Sequence, residues 1–466
     1  MGRKTPVPAP LKAGAAEVDI TPPMGTQIAG DIGRYRPAEI RVEPLYAKAL
    51  VVQSGDRKLC FLSLDLCAVT DRLAERIRGL AAEQFGFDHD AVMVHPVQNH
   101  AAPALGHHAI RDECKRIPPE LWWLRGGDDR YNPYAVERIM KAVRIANDSL
   151  QPVRIGSVSG LEARVAFNRR FVMRDGTVKT HPRCADPNIL YAEGPMDPEL
   201  GVTCISTDAL RPVAMLLHYT CHPTHGYPLR YISSGWPGAW ADGIRGGYGK
   251  DCVPLVLNGC CGNIHHANHL DPAYVDDYRR MGQVLTETTS RIVKSIRLES
   301  DVVLDYAVRH VRIPIRKFDR NLVTAARKLL KEHPEPMWKD PQRTSVEWDW
   351  MYAVCLVDLI EACKNRPYHE YEIQAFRVGD TAYVGLGGEP FVEGQLRIKL
   401  ESPVRHTYVA HMANGYVGYV PTRQAFERGG YETRPANWSK LAPEALDMIA
   451  DGTVKLLKEV FSDKVK

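Results

Sequence analysis

The stretch CVPLVLNGCCGNIHHANH, residues 252–269, holds the pattern on which the fold turns. A strand-like apolar run over 252–258 stops, two cysteines and a glycine turn follow, and His265, His266 and His269 stand at the mouth of that turn. The same pattern recurs. AVMVHPV (91–97) runs into Gln98, Asn99 and His100; PVAMLLHYT (212–220) into Cys221, His222, Pro223 and Thr224; TAYVGLG (381–387) into Gly388 and Glu389. Further strand-like runs are YAKALVVQ (46–53), KLCFLSLDL (58–66) and HTYVAHMA (406–413), and segments of helical period lie at 71–86, 132–149, 274–296, 320–332, 346–365 and 443–460. Strands alternating with helices along the whole length predict an α/β protein of mixed sheets with flanking helices. Ligand sites in open α/β sheets form beyond the carboxyl ends of strands. Four strand ends that deliver His, Gln or Glu therefore predict one cleft.

The 466 residues are 44% hydrophobic and 25% charged, ordinary values for a globular protein with a full core. A net charge of +4 with no Lys/Arg run argues against nucleic-acid binding. No stretch approaches the ~20 apolar residues of a membrane span. The start, MGRKTPVPAPLKAG, lacks the apolar core of a signal peptide, which places the protein in the cytoplasm. Residues 1–10 read as a Pro-rich tail and 11–466 as a single catalytic domain, with no internal repeat evident and a homo-oligomer allowed. The 11 cysteines include no paired CxxC motifs, so they read as mostly buried thiols rather than a disulfide framework or zinc knuckle.

Individual residues carry weak signals. His222, held at a strand end before Pro223, suits a metal ligand or a satisfied strand-end histidine. Glu389 follows two glycines and could bind metal, act as a base, or cap the helix suggested by PFVEGQLRIKL. His100 is followed by small residues that leave room for a substrate, whereas His107 and His108 read as solvated loop residues. Arg169 in FNRRF offers a planar fork of donors for an anion or carbonyl, or an exposed salt bridge. Tyr419 and Tyr431 could bind metal, carry a proton, or simply pack. No HExxH, GxSxG, Walker or dinucleotide motif accompanies them.

Taken in order, several segments resemble the neutral (non-lysosomal) ceramidase family. AGAAEVDITPPMG (13–25) is similar to its N-terminal strand and turn, VQNHAAPALG (97–106) to its HTHSGPGG segment, and FNRRF (167–171) to its NRS segment. HYTCHPTHG (218–226) is similar to its ATHPT segment, NGCCGNIHH (258–266) to NAGDVSPN, and GGEPFVEGQLRIK (387–399) to the PGE segment. ANGYVGYVPTRQAFERGGYE (413–432) resembles its NDYSGYV segment. The resemblance implies a neutral-ceramidase-like catalytic domain and a zinc amidase, with His222, Glu389 and Tyr419 as metal ligands. It sets Arg169 near the scissile amide, Tyr431 as a second active-site tyrosine, and His100 on the second histidine of HTH. Two positions depart. Gln98 stands where the family has its first ligand histidine, and His265 stands where the family has its catalytic serine, with Asn263 in place of an aspartate.

The family's additional β-rich domain is not represented in this chain, and no membrane-facing apolar segment is evident. The expectation is therefore a zinc-dependent hydrolase cleaving an amide or related bond in a polar small molecule or oligosaccharide. Gln98, His222, Glu389 and Tyr419 would hold the metal, and His100, Arg169, His265 and Tyr431 would serve the chemistry. The alternatives are a lyase that eliminates across a uronic-acid-containing glycoside, with or without a metal, and a non-catalytic binding scaffold.

Overall fold

A computed structural model describes residues 7–209 and 211–463. Twelve principal strands form three four-stranded arrays, each repeating one order. In the first, β1 (Ala9–Asp19), β2 (Tyr46–Ser54) and β3 (Arg57–Leu64) pair antiparallel, and β4 (Val92–Pro96) adds parallel to β3. In the second, β5 (Arg154–Leu161), β6 (Glu199–Ser206) and β7 (Pro212–Tyr219) are antiparallel, and β8 (Val253–Asn258) runs parallel to β7. In the third, β9 (Leu304–Pro314), β10 (Tyr368–Val378) and β11 (Thr381–Leu386) are antiparallel, and β12 (His406–Ala410) runs parallel to β11.

A parallel pair needs a crossover. The crossovers are α1 (Asp71–Phe85), α3 (Gly235–Tyr248) and α7 (Val392–Glu401). Each fourth strand is followed by a further helix: α2 (Asn132–Asp148), α4 (Tyr278–Ile292) or α9 (Ala445–Val460). Between β9 and β10 lie α5 (Arg320–Glu332) and α6 (Trp348–Cys363), and α8 (Arg423–Arg428) lies in the segment between β12 and α9. The three units thus share a β-β-β-α-β-α topology. No repeat is evident in the sequence because the insertions after the first strand of each unit, 20–45, 162–198 and 315–367, differ in length and destroy any fixed period.

Strand alternation explains the packing. Leu50, Phe61 and Met93 from the first sheet, Leu216, Leu255 and Leu257 from the second, and Phe376, Tyr383 and Tyr408 from the third meet in one central core. Their neighbours one residue away face outward: Val51, Leu62 and Val94 pack with Ile77 of α1 and Ile139 of α2, and Met215 and Val256 with Trp240 and Leu285. Val384 and Val409 face Ile449 and Leu457 of α9. Both faces of each sheet are buried, which is why the strands read as nearly unbroken apolar runs. The fourth strands meet where His95 donates through Nδ1 to the His411 carbonyl (2.7 Å), Asn258 N–H donates to His95 Nε2 (3.0 Å), and His411 N–H donates to the Asn258 carbonyl (3.1 Å).

All the strand and helix runs expected from periodicity are present, with ends displaced by a few residues. β1 starts at Ala9, so the last two residues of the expected Pro-rich tail are already paired, with Asp301 and Val302; residues 1–6 lie outside the described residues. Ten of the eleven cysteines are buried or half-buried free thiols, and Cys184 is exposed. Among the described residues no helix is long and apolar enough to cross a membrane.

Candidate active site

The carboxyl ends of the parallel pairs converge. β4 delivers Gln98 and His100, β7 delivers His222 and Thr224, β8 delivers Cys261, His265 and His266, β11 delivers Glu389, and the segment after β12 delivers Tyr416 and Tyr419. Short ladders set their register. Glu389 pairs with Tyr419, His222 bridges to His265, and Ile264–His265 pairs with Phe167–Asn168, which places Arg169 beside them. Asn263 accepts the Val392 N–H at the start of α7 (2.9 Å) and donates to Glu393 (3.0 Å). Arg36 is fully buried and donates to the carbonyls of Ala29, His100, Gly226 and Leu229, holding three loops to one guanidinium.

His100 Nε2 and His222 Nε2 face each other at 3.0 Å. His222 Nδ1 lies 3.3 Å from the Cys261 carbonyl and 3.5 Å from Arg169 NH1. The closer carbonyl favours the tautomer with the proton on Nδ1, which leaves the Nε2 lone pair turned toward His100. Burial, helped by the Arg169 and Arg36 charges, holds both imidazoles neutral: His100 is pushed down to about 3 and His222 well below its ordinary value.

Glu389 is buried and does not cap α7, whose N-cap is Phe391. Burial raises its carboxyl, opposed by contacts from Gln98, Arg169, Tyr419 and Tyr416. Tyr416 O–H donates to Oε1 (3.1 Å), and Oε2 has no well-formed hydrogen bond. Gln98 adopts φ +67°, unusual without glycine, and its Oε1 accepts from the Cys261 thiol (3.5 Å). Gln98, His100, Glu389, Tyr419 and Tyr431 all border a cavity of about 30 Å³.

Arg169 is not an exposed salt bridge: it is 4% exposed. Its Nε donates to Glu432 (3.0 Å) and NH2 to the Tyr419 hydroxyl (3.2 Å). Burial alone would lower its pKa, but Tyr419 and Glu432 outweigh it and keep the guanidinium charged. Glu432 also accepts from Arg170 (2.6 Å) and Thr180 (2.8 Å). His108 differs from the solvated residue expected. It lies edge-on to Tyr416 with centroids 5.4 Å apart, borders the small cavity, and is pushed down to about 4 by burial. His107, half-buried, pairs with Asp112.

Beyond this centre opens a cavity of about 690 Å³, into which His100, Arg169, His222, His265, Tyr419 and Tyr431 all reach. Its outer wall carries residues that sequence reasoning missed: His181, His225, Tyr227, Tyr231, Asp276 and Trp348. His225 stood in HPTHG without an apolar run before it, His181, Tyr227 and Tyr231 come from insertions or loops with no periodic signal, and Asp276 and Trp348 stand at the starts of helical segments, where nothing in the period marks them out. Thr224 Oγ1 joins His265 Nε2 (2.7 Å) to His266 Nε2 (3.0 Å), and His181 packs on His265 with centroids 4.3 Å apart. A larger groove of about 810 Å³ runs along α3 and α4 past Arg279, Gln283 and Glu287, away from this centre.

An α/β chain of this topology, with imidazoles, a carboxylate and a tyrosine gathered at the strand ends, has the fold of the neutral ceramidases. Two solved structures are similar over 97% of this chain and 75% of their own: a neutral ceramidase from Pseudomonas aeruginosa (TM-score 0.70, 17% identity) and a ceramidase complexed with C2 (TM-score 0.70, 16% identity). No known protein family matches the chain by sequence, and no curated protein aligns significantly with it.

Proposed function

We propose that this protein is a zinc-dependent hydrolase that cleaves an amide or related acyl bond in a polar substrate. The observation that carries this reading is the His100–His222 pair, two neutral imidazoles presenting Nε2 to Nε2 beside Glu389 and Tyr419 at the base of a cavity walled by histidines and tyrosines. Imidazole, carboxylate and phenolate donors suit zinc. The unpartnered Glu389 Oε2 and the Arg169 charge beside the Tyr419 hydroxyl fit such a set. The carboxylate does not yet close on the imidazole pair, since no three His, Cys, Asp or Glu donors there lie within 4.8 Å of one another among the described residues. Zinc binding requires Glu389 to swing toward them.

His222, Glu389 and Tyr419 would hold the ion. His100 takes the second imidazole place, while Gln98, whose carbonyl oxygen faces Cys261, braces Glu389. Bound zinc supplies a water of pKa near ~7 and polarises a carbonyl. His265, standing where the family serine would be, moves the proton to the leaving group through its place on the cavity wall. Arg169 and Tyr431 steady the developing oxyanion. The wall of histidines, tyrosines and Trp348 suits a small polar molecule or sugar-bearing substrate rather than a bare acyl chain. The elimination reading has less support, because Arg169 Nε and NH2 are engaged by Glu432 and Tyr419, which leaves NH1 for a single oxygen and no fork for a substrate carboxylate.

The test is turnover of short-chain N-acyl amides, including N-acyl amino sugars, by protein stripped with chelator and reloaded with zinc. Activity restored by zinc in the wild type and absent in His222→Ala and Glu389→Ala supports the reading. Activity indifferent to chelation and to both substitutions contradicts it.

A further inference from the structure

A second group of donors stands on the wall of the same cavity and shares no atom with the first. Asp276 Oδ1 lies 2.6 Å from His266 Nδ1 and 3.2 Å from His225 Nε2, and the three donor atoms all fall within 4.8 Å of one another. No other three His, Cys, Asp or Glu donors among the described residues meet that criterion. The two imidazoles are stacked, with centroids 3.4 Å apart and planes 15° apart. Both rings turn a nitrogen toward the same carboxylate oxygen, so the three donors share one edge.

The surroundings are those of a ligand shell. His266 is 4% exposed, and its other nitrogen, Nε2, lies 3.0 Å from Thr224 Oγ1, the kind of partner that fixes a ligating histidine's tautomer. Three separate segments supply the donors: His225 from the loop after β7, His266 from the loop after β8, and Asp276 from the approach to α4. That helix start is fixed by Asp277, which accepts the Arg280 N–H at 2.8 Å. Asp276 is the exposed member, so the group opens on its carboxylate side toward the cavity, which it lines with both histidines.

We propose that His225, His266 and Asp276 form a second metal site. It takes a divalent transition ion of the zinc class through His225 Nε2, His266 Nδ1 and the Asp276 carboxylate. Its remaining positions face the cavity, where hydroxyl or carboxylate oxygens of a bound molecule complete the shell. Two imidazoles and one carboxylate with open positions are a donor set for such ions rather than for magnesium or calcium. The site stands whether or not His100 and His222 carry the chemistry.

The test titrates cobalt(II), with zinc in parallel, into metal-stripped full-length protein, read by visible absorption and calorimetry. Asp276→Asn is compared with wild type and with His222→Ala. The expected result is a class of ion binding present in wild type and in His222→Ala that weakens at least about tenfold in Asp276→Asn. His225→Gln, which alters another side of the site, gives the same loss, so a folding defect in either variant, visible by circular dichroism, does not decide the outcome. Unchanged binding in both variants, or no ion bound apart from one lost with His222→Ala, overturns the proposal.

Discussion

His100 and His222 present Nε2 to Nε2 across 3.0 Å, with the His222 Nδ1 edge set against the Cys261 carbonyl. In water two imidazoles have no reason to adopt this arrangement; here the strand ends of two different sheets impose it. Either one ring donates a proton to the other, as the 3.0 Å separation fits, or the rings part to about 3.4 Å and both lone pairs hold a zinc ion. The second state is the one that a zinc hydrolase uses.

Placing an imidazole at position 98 should strengthen that state. Gln98 borders the small cavity beside Glu389 and His100, and imidazole is a better zinc ligand than an amide oxygen. Gln98→His is expected to tighten zinc binding by about tenfold or more, measured by competition with a chromophoric chelator. Unchanged or weaker affinity would mean that this corner of the cavity is not part of the shell.

Gly30 backs onto His100. It has φ +82°, and a Cβ there would lie 2.3 Å from His100 Nδ1. Gly25 has nearly the same backbone, φ +85°, with nothing within 4 Å of its Cβ position. Both Gly→Ala changes should cost about 1 kcal/mol of backbone strain in denaturant melts. Only Gly30→Ala should also lose zinc affinity and turnover. Equal behaviour of the two variants would show that His100's position does not matter.

Glu432 is the buried counter-ion of Arg169 and Arg170, at 3.0 and 2.6 Å. Glu432→Gln leaves Arg169, only 4% exposed, without its carboxylate partner. A loss of about 3–5 kcal/mol is expected from urea unfolding. A loss below about 1 kcal/mol would indicate that solvent reaches the pair.

Acid should destabilise the fold through buried histidines outside the proposed ligand set. Burial pushes His95, His108 and His218 down to about 4 and His369 to about 3. Their pKa values are depressed in the folded state, so the unfolded chain takes up protons first, near pH ~6.5. The stability they contribute is fully present above that pH and is lost as pH falls toward about 4. The midpoint of thermal unfolding should be level above neutrality and fall steeply across that window. A midpoint that rises on acidification would contradict the assignment.

The strands that carry the site were legible because both faces of each sheet are buried, so that even PVAMLLHYT reads as one apolar run whose end must be polar. His222, Glu389 and His100 followed from those ends. The threefold order of the units was hidden by unequal insertions. His181 and Glu432 were hidden for a related reason: they come from segments whose position is set by tertiary contacts, with no periodicity to announce them; Asp276, just before α4, was hidden because a helix period does not say what its entry faces. His108 differs because a histidine in a loop just past Gly106 looks solvated until Tyr416, more than three hundred residues later, is folded against it.

The most direct test of a zinc-assisted hydrolysis is the fate of solvent oxygen. Zinc-loaded protein is incubated with an N-acyl substrate in water labelled with heavy oxygen, and the products are weighed by mass spectrometry. The account predicts a free amine and a carboxylate carrying one solvent-derived oxygen, formed by wild type and abolished in His222→Ala. An unsaturated product absorbing in the ultraviolet with no solvent oxygen, or tight binding without turnover, would contradict it.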